Sequence, residues 1–127
     1  MLSCGHIATD GNAVICTQML RTKKQVKNIC DQCPLARTAN LMGDTFTLLI
    51  VRDLLATPKR FGEIEASLPG VSSRTITKKL RFLESKGLVV RHAYSEKPPR
   101  VEYSLTKNGR ALHKIIDTMR TYGEKYL

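Results

Sequence analysis

From position 34 onward, apolar residues recur at helical or alternating spacing between well-placed turn signals. Pro34 suits the first turn of a helix, where its missing N–H costs nothing, and predicts a helix over Pro34–Met42 that ends near Gly43. Asp44 can cap the next helix, Thr45–Ala56. Its Phe46, Leu48, Leu49, Ile50, Leu54 and Leu55 are apolar on nearly all sides, as expected of a helix at the centre of a core. Thr57-Pro58 stops it, and a short helix follows over about 60–68, closed by Pro69-Gly70. Ser72 or Ser73 then caps a helix running to position 86, with Gly87 as the C-terminal stop. Residues 88–95 and Arg100–Leu105 read as two strands joined by Glu96-Lys97-Pro98-Pro99. A last helix over about 106–126 carries Leu112, Ile115, Ile116, Met119 and Tyr126 on one stripe.

The order is four helices, a hairpin and a helix: a mainly α chain with a small β-hairpin (α+β), in a winged helix-turn-helix arrangement with an added C-terminal helix. Residues 34–127 form that domain, and residues 1–33 form a cysteine-containing N-terminal extension. There, Asp10-Gly11 is a hairpin-turn dipeptide that would set Cys16 opposite Gly5, close to Cys4. Thr17 can cap a basic helix over about 18–28.

The 127 residues leave room for one domain and an appendage. The longest apolar run, Leu48-Leu49-Ile50-Val51, is far shorter than the roughly 20 residues a membrane helix needs. Met1-Leu2-Ser3-Cys4 lacks the basic-then-apolar pattern of a secretory signal, so a cytoplasmic protein with no membrane partner is expected. Formal net charge is +10, which points to a polyanionic partner. The excess is local: positions 59 to 110 hold twelve Lys/Arg against five Glu, while the first 33 residues hold four basic and two acidic side chains.

That basic segment contains the predicted hairpin and the helix before it. On the helix, Ile76, Leu80 and Leu83 should face the core, leaving Arg74, Thr77, Lys78 and Arg81 on the opposite side and Ser72 and Ser73 at the N-terminus. A recognition helix needs an apolar back that holds it rigid and a polar, basic front that enters the major groove of double-stranded DNA. Such a front is also what any amphipathic basic helix would show. The hairpin adds specificity: Arg91, Lys97 and Arg100 gather near a proline-stiffened tip beside Tyr94, as in a wing that lies along the backbone or in the minor groove. Lys59 and Arg60, at the start of the preceding helix, can add phosphate contacts.

From Cys33 onward the chain resembles the HxlR family, a branch of winged-helix regulators related to the MarR type. The resemblance is carried by Cys33-Pro34, Gly43-Asp44-Thr45-Phe46-Thr47-Leu48-Leu49-Ile50, Arg60-Phe61-Gly62-Glu63, Leu68-Pro69-Gly70-Val71-Ser72, Leu80-Arg81-Phe82-Leu83-Glu84, Gly87-Leu88-Val89, Pro98-Pro99-Arg100-Val101-Glu102-Tyr103-Ser104-Leu105-Thr106 and Gly109. It implies a transcriptional regulator, a homodimer held by N-terminal and C-terminal helices, the latter being a dimerisation helix, on a pseudo-palindromic operator. Phe46 stands where the family commonly has Trp, one core aromatic for another. The segment before Cys30 is longer than usual in the family and brings extra cysteines.

All four cysteines, Cys4, Cys16, Cys30 and Cys33, lie in the first quarter of the chain, which suggests redox or metal chemistry over disulfide stapling. Cys33 precedes Pro34 at an expected helix N-cap, where unsatisfied amides and the helix dipole favour a thiolate; Arg37 assists and Asp31 opposes. Cys30 is placed to resolve an oxidised Cys33 as a disulfide. The resemblance implies the same: several similar regulators sense thiol-reactive stress through the cysteine before that proline. The alternative is a four-thiolate site of Cys4, Cys16, Cys30 and Cys33 holding zinc or an iron–sulfur cluster, with His6 as a substitute ligand. Incidental thiols are the third reading.

Other classes fit less well. His6, His92 and His113 are scattered and form no nucleophile–base constellation, so no enzyme is expected. A thiol oxidoreductase reading of Cys30-Asp31-Gln32-Cys33 lacks the βαβ context such a motif needs. An RNA-binding protein would show an aromatic platform that is missing here. No small-molecule pocket is evident from the sequence.

Overall fold

The structure is a computed structural model and describes residues 33–127. The proposed hairpin around Asp10-Gly11 and the helix over 18–28 lie outside the described residues, as do Cys4, Cys16 and Cys30. The described residues fall into two units, one ending at Gly43 and the other Asp44–Leu127. In the first, helix α1 (Pro34–Met42) opens on Pro34 with Cys33 as N-cap. Gly43 follows it where a Cβ would lie 2.5 Å from the Ala39 carbonyl oxygen, so a side chain there would force the end of the helix to shift.

The second unit begins with α2 (Thr45–Ala56). Asp44 caps it by accepting from the Thr47 amide at 2.9 Å and the Thr47 hydroxyl at 3.0 Å. Thr47, Ile50, Val51 and Leu54 form its buried stripe. Contrary to the expectation of an all-round core helix, Leu48, Leu49 and Leu55 are only half-buried and Phe46 is 37% exposed. The helical period puts those positions beside the stripe rather than on it. Phe46 is therefore not a core aromatic within one chain.

Thr57, ahead of Pro58, is extended as a residue preceding proline must be, and carries the chain into strand β1 (Lys59–Arg60). Lys59 and Arg60 were expected at the start of a helix; instead they pair with Tyr103 and Glu102. Helix α3 (Phe61–Ser67) starts one residue later, its Arg60 amide bonded to Glu63 Oε2 at 3.4 Å. Gly70, at φ +86°, turns the chain into α4 (Ser73–Ser85), which Ser72 caps through the Thr75 amide at 3.2 Å.

Helix α4 ends in a Schellman motif. Gly87 adopts φ +71°, its amide bonds the Glu84 carbonyl at 3.0 Å, and the Leu88 amide bonds the Leu83 carbonyl at 3.0 Å. Leu83 and Leu88 are both buried, which supplies the apolar contact that such a turn favours. Strands β2 (Val89–Tyr94) and β3 (Arg100–Leu105) then form the hairpin, in register from Val89↔Leu105 to Tyr94↔Arg100. The antiparallel sheet has the order β1-β3-β2. The expected single C-terminal helix is two: α5 (Lys107–Arg110) and α6 (His113–Tyr126), separated by a tightened turn in which the Leu112 amide bonds the Gly109 carbonyl at 3.2 Å. The core gathers where α2 packs on α4, β3 and α6, around the fully buried Ile50, Ile64, Ile76, Leu80 and Leu83. This is the winged helix-turn-helix arrangement. No helix among the described residues is long and apolar enough to cross a membrane.

Gly109 is pressed against the turn that ends α4: a Cβ there would lie 2.3 Å from the Leu88 carbonyl oxygen, which is backbone and cannot step aside alone. Gly109→Ala should therefore destabilise the domain by about 1–3 kcal/mol, as other overpacked sites do. Urea denaturation of the variant beside the parent checks this; an unchanged midpoint would show that the contact relaxes freely.

Candidate nucleic-acid interface

Helix α4 has the two faces a groove-reading helix needs. Ile76, Leu80 and Leu83 are at most 1% exposed, so its back is fixed in the core. On the front, Arg74, Lys78 and Arg81 are exposed and Thr77 is half-buried. These four line one open depression of about 330 Å³, so the structure brings together the four residues that the sequence placed on the front. The Thr77 hydroxyl donates back to the Ser73 carbonyl at 2.8 Å, so its proton is engaged within the helix.

The remaining candidates are placed differently. Ser72 is committed to capping, its oxygen taking the Thr75 amide and lying 2.9 Å from the Thr75 hydroxyl. The Ser73 hydroxyl donates to the Glu65 carboxylate on α3. Both serines thus anchor the N-terminus of α4. Arg91 and Lys97 are exposed on the hairpin, and Arg60 is exposed on β1 while Lys59 is half-buried. Arg100 is engaged within the wing: its Nη2 meets Glu102 Oε2 at 3.0 Å and its guanidinium lies 5.5 Å from the Tyr94 ring centroid. Arg60 and Arg100 line a common cleft beside the loop at the tip of the wing.

Asp44 was read from the sequence only as a helix cap. It also meets Lys79 Nζ at 3.1 Å, tying the start of α2 to the recognition-type helix α4. The Thr47 amide hydrogen bond, helped by Lys79, holds the Asp44 carboxyl below its ordinary value of 3.8, against a smaller opposing effect of burial. Lys79 is thereby drawn away from the basic front. The pairing joins positions far apart in sequence, and neither periodicity nor spacing signals it.

At the start of α1, Cys33 is buried and its Sγ accepts from the Ala36 amide at 3.4 Å. This is the expected N-cap role. Its proposed partner Cys30 and the four-thiolate alternative with Cys4 and Cys16 involve residues outside the described ones.

The HxlR-like helix-turn-helix family model matches residues 41–127, and the chain belongs to that family. It is 38% identical over 95 residues to an HTH-type transcriptional regulator, sll1512, of a Synechocystis strain, covering 75% of this chain and 70% of that protein. Among solved structures, the redox regulator HypR in its reduced form is similar at TM-score 0.69 and 36% identity, over 72% of this chain and 90% of that one. The reduced form of the regulator YodB from B. subtilis is similar at TM-score 0.66 and 33% identity, over 74% and 93%. The chain is therefore a transcriptional regulator of helix-turn-helix type.

Because the Asp44 carboxyl is held low in the fold, its contribution to stability is complete above the ordinary carboxylate value and disappears as pH falls through the lowered one. Asn caps helices nearly as well as Asp, so Asp44→Asn should lose only about 0.5 kcal/mol at neutral pH, a modest figure because the Asp44–Lys79 pair is partly exposed. Below pH 3.8 the difference between variant and parent should close. Urea midpoints measured across that range test it, and a constant difference would assign the effect to something other than the ionised carboxylate.

Proposed function

We propose that this protein is a homodimeric, sequence-specific binder of double-stranded DNA whose operator affinity responds to thiol oxidation or electrophiles. The observation that carries the DNA reading is the gathering of Arg74, Thr77, Lys78 and Arg81 on the open face of a helix whose other face is immobilised in the core. In this reading Arg74 and Arg81 reach guanine edges and Lys78 holds phosphate. Lys59, Arg60, Arg91, Lys97 and Arg100 contact the backbone from the strand and wing, while Ser72 and Ser73 fix the helix that does the reading.

The dimer is supported by the outer side of α6. Leu112 and Ile116 are buried, but Ile115, Met119, Tyr122 and Tyr126 on the same helix are 37–62% exposed. Ile115, Met119 and Tyr122 line one apolar groove with Lys114 and Thr118. Covering that groove with a second copy would bury this apolar row and match a pseudo-palindromic operator, its half-sites about 34–36 Å apart. The redox element is supported by Cys33 at the α1 N-cap and by the likeness to HypR, a redox regulator. Burial of Cys33 makes local opening of α1 part of that response. A cytoplasmic location goes with this function.

Two expectations follow for the purified protein on its own upstream DNA, with a scrambled duplex as control. Arg74→Ala and Arg81→Ala should each weaken specific binding by about 1–3 kcal/mol while leaving non-specific binding nearly unchanged. Wild-type affinity in both variants would show that another face reads the DNA. Diamide should alter specific binding of the parent and leave Cys33→Ser unaffected; an oxidant response that survives in Cys33→Ser removes Cys33 from the switch.

A further inference from the structure

We propose that Glu65 is a specificity-determining residue: its carboxylate keeps DNA phosphate away from the start of α4, so docking on the backbone alone is penalised and docking that reads bases is not. The inference rests on the DNA reading above, in which the α4 front lies in the major groove. It starts from a hydrogen bond between two helices. The hydroxyl of Ser73, the first residue of α4, donates to the Glu65 carboxylate on α3. Capping does not need that hydroxyl, because Ser72 already accepts from the Thr75 amide. Helix α4 also has no acidic residue in its own first turn. The negative charge beside its start therefore comes from α3.

Glu65 differs from the other carboxylates around it. Asp44, Asp53 and Glu102 each meet a lysine or arginine at 2.8–3.1 Å, and Glu63 accepts from the Arg60 amide at the start of α3. Glu65 has no ion-pair partner among the described residues, and a serine hydroxyl does not cancel its charge. Yet it adjoins the basic front. The Ser73 carbonyl takes the Thr77 hydroxyl at 2.8 Å, and Thr77 lines the open depression with Arg74, Lys78 and Arg81. One uncompensated negative charge thus borders a front built from three positive ones.

A basic front attracts the DNA backbone in any register, which is the source of non-specific affinity. A serine hydroxyl at the start of a helix would add a donor for phosphate. Glu65 opposes this twice, by occupying the Ser73 donor and by repelling the phosphate. When the helix reads bases, its N-terminal residues meet base edges rather than phosphates, so the same charge costs little there. The repulsion falls on the wrong complex, which raises specificity without adding a contact.

The test titrates the full chain, reduced, onto its own upstream duplex and onto a scrambled duplex over a range of salt. Glu65→Gln keeps an oxygen that accepts from Ser73 and removes the charge; Glu65→Ala removes both. Ser73→Ala removes the hydrogen bond and keeps the charge. Both Glu65 variants should tighten binding to the scrambled duplex by about fivefold, steepen its log–log salt dependence by about 0.9, and lower the preference for the upstream duplex. Ser73→Ala should keep the parent's salt slope on the scrambled duplex. An unchanged slope in the Glu65 variants, equal tightening on both duplexes, or the same steepening in Ser73→Ala would overturn the proposal. A parent with no preference for its upstream duplex would instead sink the operator reading, and the slopes on the scrambled duplex would still decide whether Glu65 excludes phosphate. A parent that binds neither duplex overturns both.

Discussion

The geometry of the second unit hangs on the backbone around Gly87 and Leu88. There the helix α4 ends, the wing begins, and the segment leading to α6 returns to be fastened. The Thr106 hydroxyl donates to the Gly87 carbonyl at 2.6 Å, the Thr106 amide donates to the Leu88 carbonyl at 3.0 Å, and Gly109 sits against that same carbonyl. Thr106 in turn caps α5 by accepting the Gly109 amide at 3.2 Å. Three elements with different tasks therefore share one junction of two carbonyl groups. A change of angle at this junction would move the wing and the α4 front relative to each other, which a rigid groove-reader cannot tolerate.

Charge is used in two ways in this unit. Some charged groups are neutralised at short range and spent on position: Lys79 on Asp44, Arg52 on Asp53 at 2.8 Å, Arg100 on Glu102. Glu65 does the same for Ser73. Arg74, Lys78 and Arg81 have no such partner among the described residues and stay exposed, so the α4 front keeps its positive charge. Exposed pairs contribute little to stability, so the value of the neutralised ones lies in holding α3 and α4 at a fixed relation to the core.

Most of the fold was legible in the sequence because most of it is decided locally. The stripe Ile76, Leu80, Leu83, the proline at the start of α1, the caps Asp44 and Ser72, and the stop at Gly87 each state their role within a few positions. What escaped depends on partners far along the chain. Lys59 and Arg60 are a strand only because Tyr103 and Glu102 lie beside them. The wing cleft needs Arg60 and Arg100 to meet, and Asp44 gains its second role only once α4 brings Lys79 to it. The candidate site divided in the same manner: its helix face was readable from periodicity, whereas the internal duties of Ser73 and Arg100 were not. Phe46 was misjudged for a related reason, since periodicity separates apolar from polar faces but does not say whether an apolar face is covered within its own chain.

That last distinction bears on how the parts act together. Helix α2 packs on α4 along one side and on α6 along another, through a stripe that is almost wholly buried. Close-packed interiors transmit displacement rather than absorb it, so the basic front of α4 and the open apolar row of α6 are two ends of one rigid body. Whatever covers Ile115, Met119 and Tyr122 consequently fixes the direction in which Arg74 and Arg81 point. If the cover is a second copy related by a two-fold axis, the separation of the two basic fronts is set by the α2 packing and not by any flexible link. Specificity for a half-site spacing would then be a property of the hydrophobic core, and the base contacts proposed for Arg74 and Arg81 would only report it.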